Sequence, residues 1–527
     1  MNRPLPPLPT AIALPGVKRH RRRGSSPALV AAALVVAGLA LIPVGFVLWV
    51  LSQSSWETAA SLVFRPRVGE LVVATLLLQA LAVPACIVLS LAFAWLTERT
   101  DLPLRWLWRA LGVAPLAVPA FVQAYAWDGT FPLLRGLWPA VLVSVLAYFP
   151  LVYLPIVTQL RRLDPALEDV AATLGERPAQ VFFTVVLPQL RLAICGGGLL
   201  IALHLLSEYG LYVLVRYDTL TVAIVNQFQA VYDGPAANLM GVVLFALTLL
   251  LLLLDKWSRG NRRYARVGAG VARPAPRFRL GRTWPFWLLV PLVTTALAVG
   301  LPLVTVVRWF WIGGSEAWHG AALTSATLQT AFYALLGAAS VTLAALPIAW
   351  MSARAPGRLQ SFIESIHYYT GALPGSIVAL ALVAITVRFA LPLYQTVAAV
   401  IAAYALLFLP RAIIAIRSRL GQVPVELQQA AIALGKPPLT AAFIITLRLA
   451  APGIAAGAAL VAMGITTELT ATLMLSPIGT DTLATEFWAR TAEFDHVGAA
   501  PFALAMIILS VPLCVILHRQ AMGVSGQ

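Results

Sequence analysis

The chain has 527 residues, 60% hydrophobic and 11% charged, with a mean hydropathy of +0.85. Soluble domains carry about 25% charged residues, so a large soluble core is excluded, because it would leave nothing to cover the surface. The net charge of +16 invites a nucleic-acid partner, but the placement of the charges along the chain has another explanation.

Residues 1–27 are Pro-rich and then basic (Lys18, Arg19, Arg21, Arg22, Arg23) without an apolar face, which predicts a disordered cytoplasmic tail. Ala28 to Leu51 is too long for a signal-peptide core and lacks a cleavage site, so it reads as an uncleaved first span. Five more stretches reach the ~20 apolar residues that a span needs, at 69–97, 106–127, 134–160, 192–215 and 236–255. After a basic stretch, Lys256 to Arg282, a second set follows at 284–311, 323–351, 363–389, 393–416, 450–475 and 499–518. Pro115, Pro119 and Pro374 interrupt the helical pattern of the spans that begin near 106 and 363. Cys86, Cys195 and Cys514 all lie in apolar segments with no ligand or disulfide spacing, as packing residues do.

Charge orients these spans. With the amino terminus inside, cytoplasmic segments hold 30 of the 37 Lys and Arg, including all those in 98–109, 161–191, 256–282 and 411–448. The opposite side receives only Arg65, Arg67, Arg135, Arg216, Arg308, Arg388 and Arg490. This is the positive-inside asymmetry, and it explains the net charge without nucleic acid. The expectation is an all-α polytopic protein of twelve spans with both termini cytoplasmic.

The two halves are copies of one unit. Trp95 to Arg99 aligns with Trp350 to Arg354, and Pro119 with Pro374, at an offset of 255. Further on the offset is 260, and Ser207-Glu208 aligns with Thr467-Glu468. Six spans return the chain to its starting side, so the repeat is parallel, suited to a pseudo-two-fold axis along the membrane normal. The expected division is a tail (1–27), a first transmembrane domain (28–258), a linker (259–283), a second domain (284–519) and a short tail (520–527).

Between spans, on the cytoplasmic side of each half, lies a polar, helix-prone loop, at 164–188 and 424–448. In the first, Asp164-Pro165 supplies an N-cap and a first-turn proline. An alanine-rich turn (Asp169, Val170, Ala171) then leads to Gly175, which suits a helix exit, and Pro178 opens a second short helix. Helix, turn and helix between two spans make a stiff knob able to transmit a push, with a plain interfacial hairpin as the alternative. The second copy runs Gln429, Ala430, Ala431 to Gly435. In both, nine residues separate the glycine from a β-branched residue, any residue and Leu, ending at Leu187-Pro188 and at Leu447-Arg448.

These loops resemble the EAA loop of ATP-binding-cassette importer permeases, whose pattern is Glu-Ala-Ala, three residues, Gly, nine residues, Ile, any residue, Leu-Pro. The copies depart from it at Asp169, Val170, Gln429 and Arg448. The resemblance implies two tandem six-helix MetI-like domains, as in type I importers, without a catalytic site. It implies that a dimer of cytoplasmic ATPases docks on Asp169, Val170, Ala171, Gly175, Leu187, Pro188, Gln429, Ala430, Ala431, Gly435 and Leu447. A soluble binding protein outside the membrane would deliver substrate. ATP and magnesium would sit on the partner: the only Gly-Lys pair here, Gly435-Lys436, lacks the upstream glycine and is followed by Pro437, where a P-loop needs Ser or Thr.

Glu208 and Glu468 are candidates for the translocation pathway, since ionisable residues in spans are costly to place; carboxylates at an outer helix end are the plainer reading. His204 and His367 stand alone, without metal-ligand spacing, and fit packing or an interfacial hydrogen bond. Gly196-Gly197-Gly198 and Ala455-Ala456-Gly457 suit close helix packing. Asp218 to Thr221, Thr467 to Leu475 and Asp481 to Thr485 resemble stretches of fused twelve-span ferric-iron importers of the bacterial inner membrane, with Thr470 where those have Pro. Thiamine, sulfate, phosphonate and putrescine importers share the architecture. An ion-coupled secondary transporter also uses repeated halves but needs no twin loops, and a membrane enzyme needs a clustered catalytic set that the sequence does not offer.

Overall fold

The computed structural model describes residues 27–53, 55–231, 233–259, 277–318, 320–355 and 357–522. The expected tail at 1–27, Pro27 apart, lies outside the described residues, as do 260–276 of the expected linker at 259–283 and 523–527 of the last segment. Among the described residues the regular structure is helical, and the one β pairing is an isolated bridge between Thr100 and Phe278.

Among the described residues nine helices are long and apolar enough to cross a membrane, and three bent pairs, each taken as one span, bring the number to twelve. In chain order the first half contains α1 (Pro27–Ala40 and Ile42–Gln53), α2 (Pro66–Arg99), α3 (Arg105–Ala117 and Ala120–Thr130), α4 (Leu137–Arg161), α5 (Pro178–Ser207) and α6 (Gly234–Trp257). The second half contains α7 (Gly281–Gly313), α8 (Gly320–Arg354), α9 (Arg358–Thr370 and Gly375–Phe389), α10 (Val397–Leu420), α11 (Ala442–Thr466) and α12 (His496–Arg519).

The prolines decide where α3 and α9 break. Pro119 (ψ 142) and Pro374 (ψ 144) are extended residues that begin the second limb of each helix. A proline disfavours helical backbone in the residue before it, and the two limbs are bent by 91° in α3 and 98° in α9. The second limbs are buried on every side from Ala120 to Trp127 and from Gly375 to Val383. They therefore occupy the centre of the molecule, whereas an ordinary span shows one face to lipid.

Spans α5 and α11 differ from the sequence expectation of 192–215 and 450–475, and the reason is local. At their far ends the carboxylates of Glu208 and Glu468 cap new short helices, Gly210–Leu214 and Thr470–Leu475, so the apolar residues beyond belong to separate elements. At their near ends the second helix of each loop runs into the span through a π-helical turn, Phe182–Val186 and Ala442–Leu447. Pro188 follows this turn in one copy and Arg448 in the other, so a proline at that position is not its cause.

In the first half α2, α4 and α5 pack together, and in the second their repeats α8, α10 and α11 do the same. Glycine permits the closest approach. A Cβ on Gly197 would lie 2.8 Å from the Val152 backbone, and one on Gly457 3.0 Å from Ala415, as the small-residue runs predict. The leading span of each half crosses over: α1 lies against α8 and α9, and α7 against α2, α3 and α4. Each half is therefore completed by a helix from the other.

Candidate coupling loops and translocation pathway

Each loop folds into a short helix followed by a sharp turn. In the first, Asp164 Oδ1 accepts a hydrogen bond from the Ala166 N–H (3.1 Å), and the helix runs Pro165–Thr173. It ends at Gly175 with φ +87°, where Gly175 N–H donates to Ala172 O and Glu176 N–H to Ala171 O (3.0 and 3.2 Å). The second copy repeats this over Val425–Ala433, with Gly435 at φ +85° and the same two bonds from Gly435 and Lys436 (3.0 and 3.1 Å). Gly435-Lys436 is thus part of a helix-terminating turn.

Asp169, Val170, Gln429 and Ala430 are exposed, Ala171 is buried against the spans, and Leu187, Pro188 and Leu447 are half-buried at the start of α5 and the base of α11. The residue before each glycine was not singled out in the sequence. Leu174 is 80% exposed and Leu434 84% exposed, and Phe183 and Phe443 stand out beside them. Each pair recurs at the 260 offset, the signal that identifies them. They are the most exposed apolar side chains of their loops, where Val170 and Leu427 are exposed as well.

A second missed feature fixes the first knob to the spans. Arg99, at the end of α2, forms a buried ion pair with Glu168 (2.8 Å) and lies 3.5 Å from Leu160 O of α4. A buried carboxylate and guanidinium persist together only when well paired. The second knob lacks this pair. The matching residues are Arg354, which donates to Val423 O (2.9 Å), and Gln428, which accepts from Thr446 (3.1 Å).

Away from the knobs the halves meet through aromatic side chains. Phe121 and Tyr125 of α3 pack on Phe487 (5.5 and 5.3 Å between ring centroids), and Tyr209 on Trp488 (5.1 Å). Tyr125 also donates to His496 O (2.5 Å), and Gly375 N–H donates to Ser207 Oγ (3.1 Å). This contact closes the far side of the interface between the halves.

Glu208 and Glu468 sit at this closure, but their oxygens are engaged. Glu208 accepts from the Tyr148 hydroxyl and the Leu211 N–H, and Glu468 from Ala471 N–H, Thr472 N–H and the Thr472 hydroxyl. His204 and His367 each hold the carbonyl four residues earlier, at 2.8 Å. The three cysteines are free, with Cys86 and Cys514 buried. Arg411, counted with the cytoplasmic charges of 411–448, lies within α10, as do Arg417 and Arg419 nearer its end. The apolar run of α10 simply continues past it.

The stretches Asp218 to Thr221 and Asp481 to Thr485 have one role, repeated. Thr219 and Thr482 cap the helices Leu220–Gln229 and Leu483–Ala492. The following N–H, of Leu220 or Leu483, donates to Thr75 on α2 or Thr330 on α8 (3.0 and 2.8 Å). They latch an outer helix to a long span.

Residues 345–521 match the family described as the binding-protein-dependent transport system inner membrane component. The chain is 31% identical over 485 residues to the Fe(3+)-transport system permease protein of Haemophilus influenzae, covering 90% of this chain and 95% of that one. The chain belongs to this family of importer permeases. The permease is also 22% identical over 475 residues to the ferric transport system permease protein of Actinobacillus pleuropneumoniae, spanning 82% of this chain and 68% of that protein. A single-length relative aligns with less of it: the sulfate transport system permease protein of Escherichia coli, 28% identical over 240 residues, 42% of this permease and 86% of that protein. The permease is thus a multi-pass α-helical subunit of an ATP-binding-cassette importer.

Proposed function

We propose that the permease imports ferric iron, driven by ATP hydrolysed on separate cytoplasmic subunits and supplied by a soluble binding protein outside the membrane. The observation that carries this reading is similarity along nearly the whole fused chain to an iron permease, together with two equivalent knobs whose apolar tips await a partner. The domains at 28–258 and 284–519 act as the two permease units, with the termini and knobs on the cytoplasmic side. ATP closes the ATPase pair and draws the knobs together. The first knob passes this motion to α2 and α4 through Arg99 and Glu168, and the second to α8 through Arg354. The second limb of α3 then separates from the Leu483–Ala492 helix at the aromatic contact, opening the pathway to the binding protein. ATP and magnesium stay on the partner.

Deleting the gene tests the cargo. The deletion strain should grow poorly under iron chelation, recover with added iron, and lose uptake of radiolabelled iron. Normal growth under chelation with a new requirement for sulfate or thiamine would reassign the permease to a sister importer.

A further inference from the structure

Arg411 lies roughly 21 Å from Val397 and roughly 14 Å from Leu420 along α10, at 1.5 Å per residue, which places it well inside the span. Residues four apart share a helix face, and Leu407 shows which face this is. Its Cδ1 is 3.8 Å from where a side chain on Gly375 would begin, at the bend of α9. The row Leu407, Arg411, Ile414 and Ser418 therefore descends from the closed contact toward the knobs, and its last three members are exposed. On the far part of α10 it is the opposite face, at Ala398 and Ala402, that is exposed. Gly375 in turn donates to Ser207 of the other half, so the Arg411 side of α10 is the one that leads to the contact between the halves.

The guanidinium has no hydrogen bond or ion pair among the described residues, and its neighbour is the Phe408 ring, 5.0 Å from the centroid. Room is made for both by Gly464 of α11, where a Cβ would lie 2.6 Å from Phe408 and 3.3 Å from Arg411 Nη1. At the 260 offset the first half has Leu151 for Arg411 and His204 for Gly464. The charge thus belongs to one half only, and the glycine beside it accommodates it. Glu208 and Glu468 do not pair with it, since their oxygens accept from the Tyr148 hydroxyl and from helix N–H groups.

We propose that Arg411 is a binding station for an oxyanion, a carboxylate or a phosphate, inside the translocation pathway. A guanidinium offers a fork of donors matched to such oxygens, and an intramembrane cation without a protein partner marks a pathway. Combined with the iron reading, on which this step rests, the station sets the form of the cargo. A bare trivalent cation is repelled by Arg411, whereas the same ion carrying oxyanion ligands turns negative oxygens toward it. Iron passes this point with anionic ligands attached.

The test uses the full chain in nanodiscs and the complete importer in proteoliposomes. Radiolabelled phosphate and radiolabelled citrate are titrated separately onto the nanodiscs, which distinguishes the two sources of oxygens, and radiolabelled iron uptake is measured in parallel. Wild type should bind at least one anion saturably. Arg411→Gln, and Arg411→Leu, which copies the first half, should weaken that binding about tenfold or more, as for loss of a charge-assisted hydrogen bond, with a matching fall in iron uptake. Arg411→Lys should restore part of both, which a misfolded chain would not. Absence of saturable binding in wild type overturns the proposal. So does unchanged binding and uptake in Arg411→Gln, including the case where that variant only leaks protons or sodium. Anion binding lost in the variants while wild type moves no iron keeps the station and removes the iron reading.

Discussion

The two knobs have the same backbone and different foundations. Both have a helix, a left-handed glycine and a π turn into the next span. Beneath the first lies the buried Arg99–Glu168 pair, and beneath the second a guanidinium on a backbone carbonyl and a glutamine on a threonine hydroxyl. The same freedom shows deeper in the spans. Ser144 of α4 meets the Tyr212 hydroxyl at 3.3 Å, and at the matching positions Tyr404 of α10 meets Thr472 at 2.8 Å. The large partner has changed sides while the hydroxyl contact and its combined size stay. At these positions the repeat therefore preserves geometry and lets the chemistry beneath it drift, with the exchanged groups keeping a partner in each half.

The largest test of this difference removes the foundations. Glu168→Ala leaves Arg99 buried and unpaired and should cost about 3–5 kcal/mol, whereas Gln428→Ala loses one neutral hydrogen bond, about 0.5–1.5 kcal/mol. Thermal unfolding of the purified permease reads both. Equal losses would show that the knobs are anchored alike.

A smaller effect should appear in both knobs. Gly175→Val and Gly435→Val force a branched residue to positive φ, a strain of about 1–3 kcal/mol, with no atom within 4 Å of the new Cβ to add a clash. Both variants should insert normally and lose ATPase copurification and transport, most in the double variant. Asp169 gives the first knob an exposed charge where the second has Gln429, so Gly175→Val should lose more. Normal ATPase binding in the double variant would make these loops ordinary hairpins.

The smallest effect is in the exchanged hydroxyls. A double-mutant cycle of Tyr404→Phe with Thr472→Val should give a coupling of about 0.5–1.5 kcal/mol, one buried hydrogen bond. Ser144→Ala with Tyr212→Phe should give the same or less across its longer contact. A coupling confined to one half would separate two contacts that the repeat presents as equivalent.

The sequence by itself determined the membrane class, the number of apolar stretches, the duplication, and the knob helices with their left-handed glycines. These are local properties: hydropathy, proline and glycine act within a few residues, and a repeated offset is visible without coordinates. Even the bends of α3 and α9 were marked by Pro119 and Pro374. The ends of α5 and α11 were not legible, because Glu208 and Glu468 look like span residues until the N–H groups that they cap are in place. Only the tertiary structure decided that Glu168 is buried beside Arg99, since those residues are 69 apart in the chain. It also decided that α1 and α7 each complete the other half, and that Arg411 shares a face of α10 with Leu407, which lies against the bend of α9. Apolar periodicity tells which residues avoid water; it does not tell lipid from a neighbouring helix, because both are equally apolar. Which face meets which partner is settled only when the helices pack.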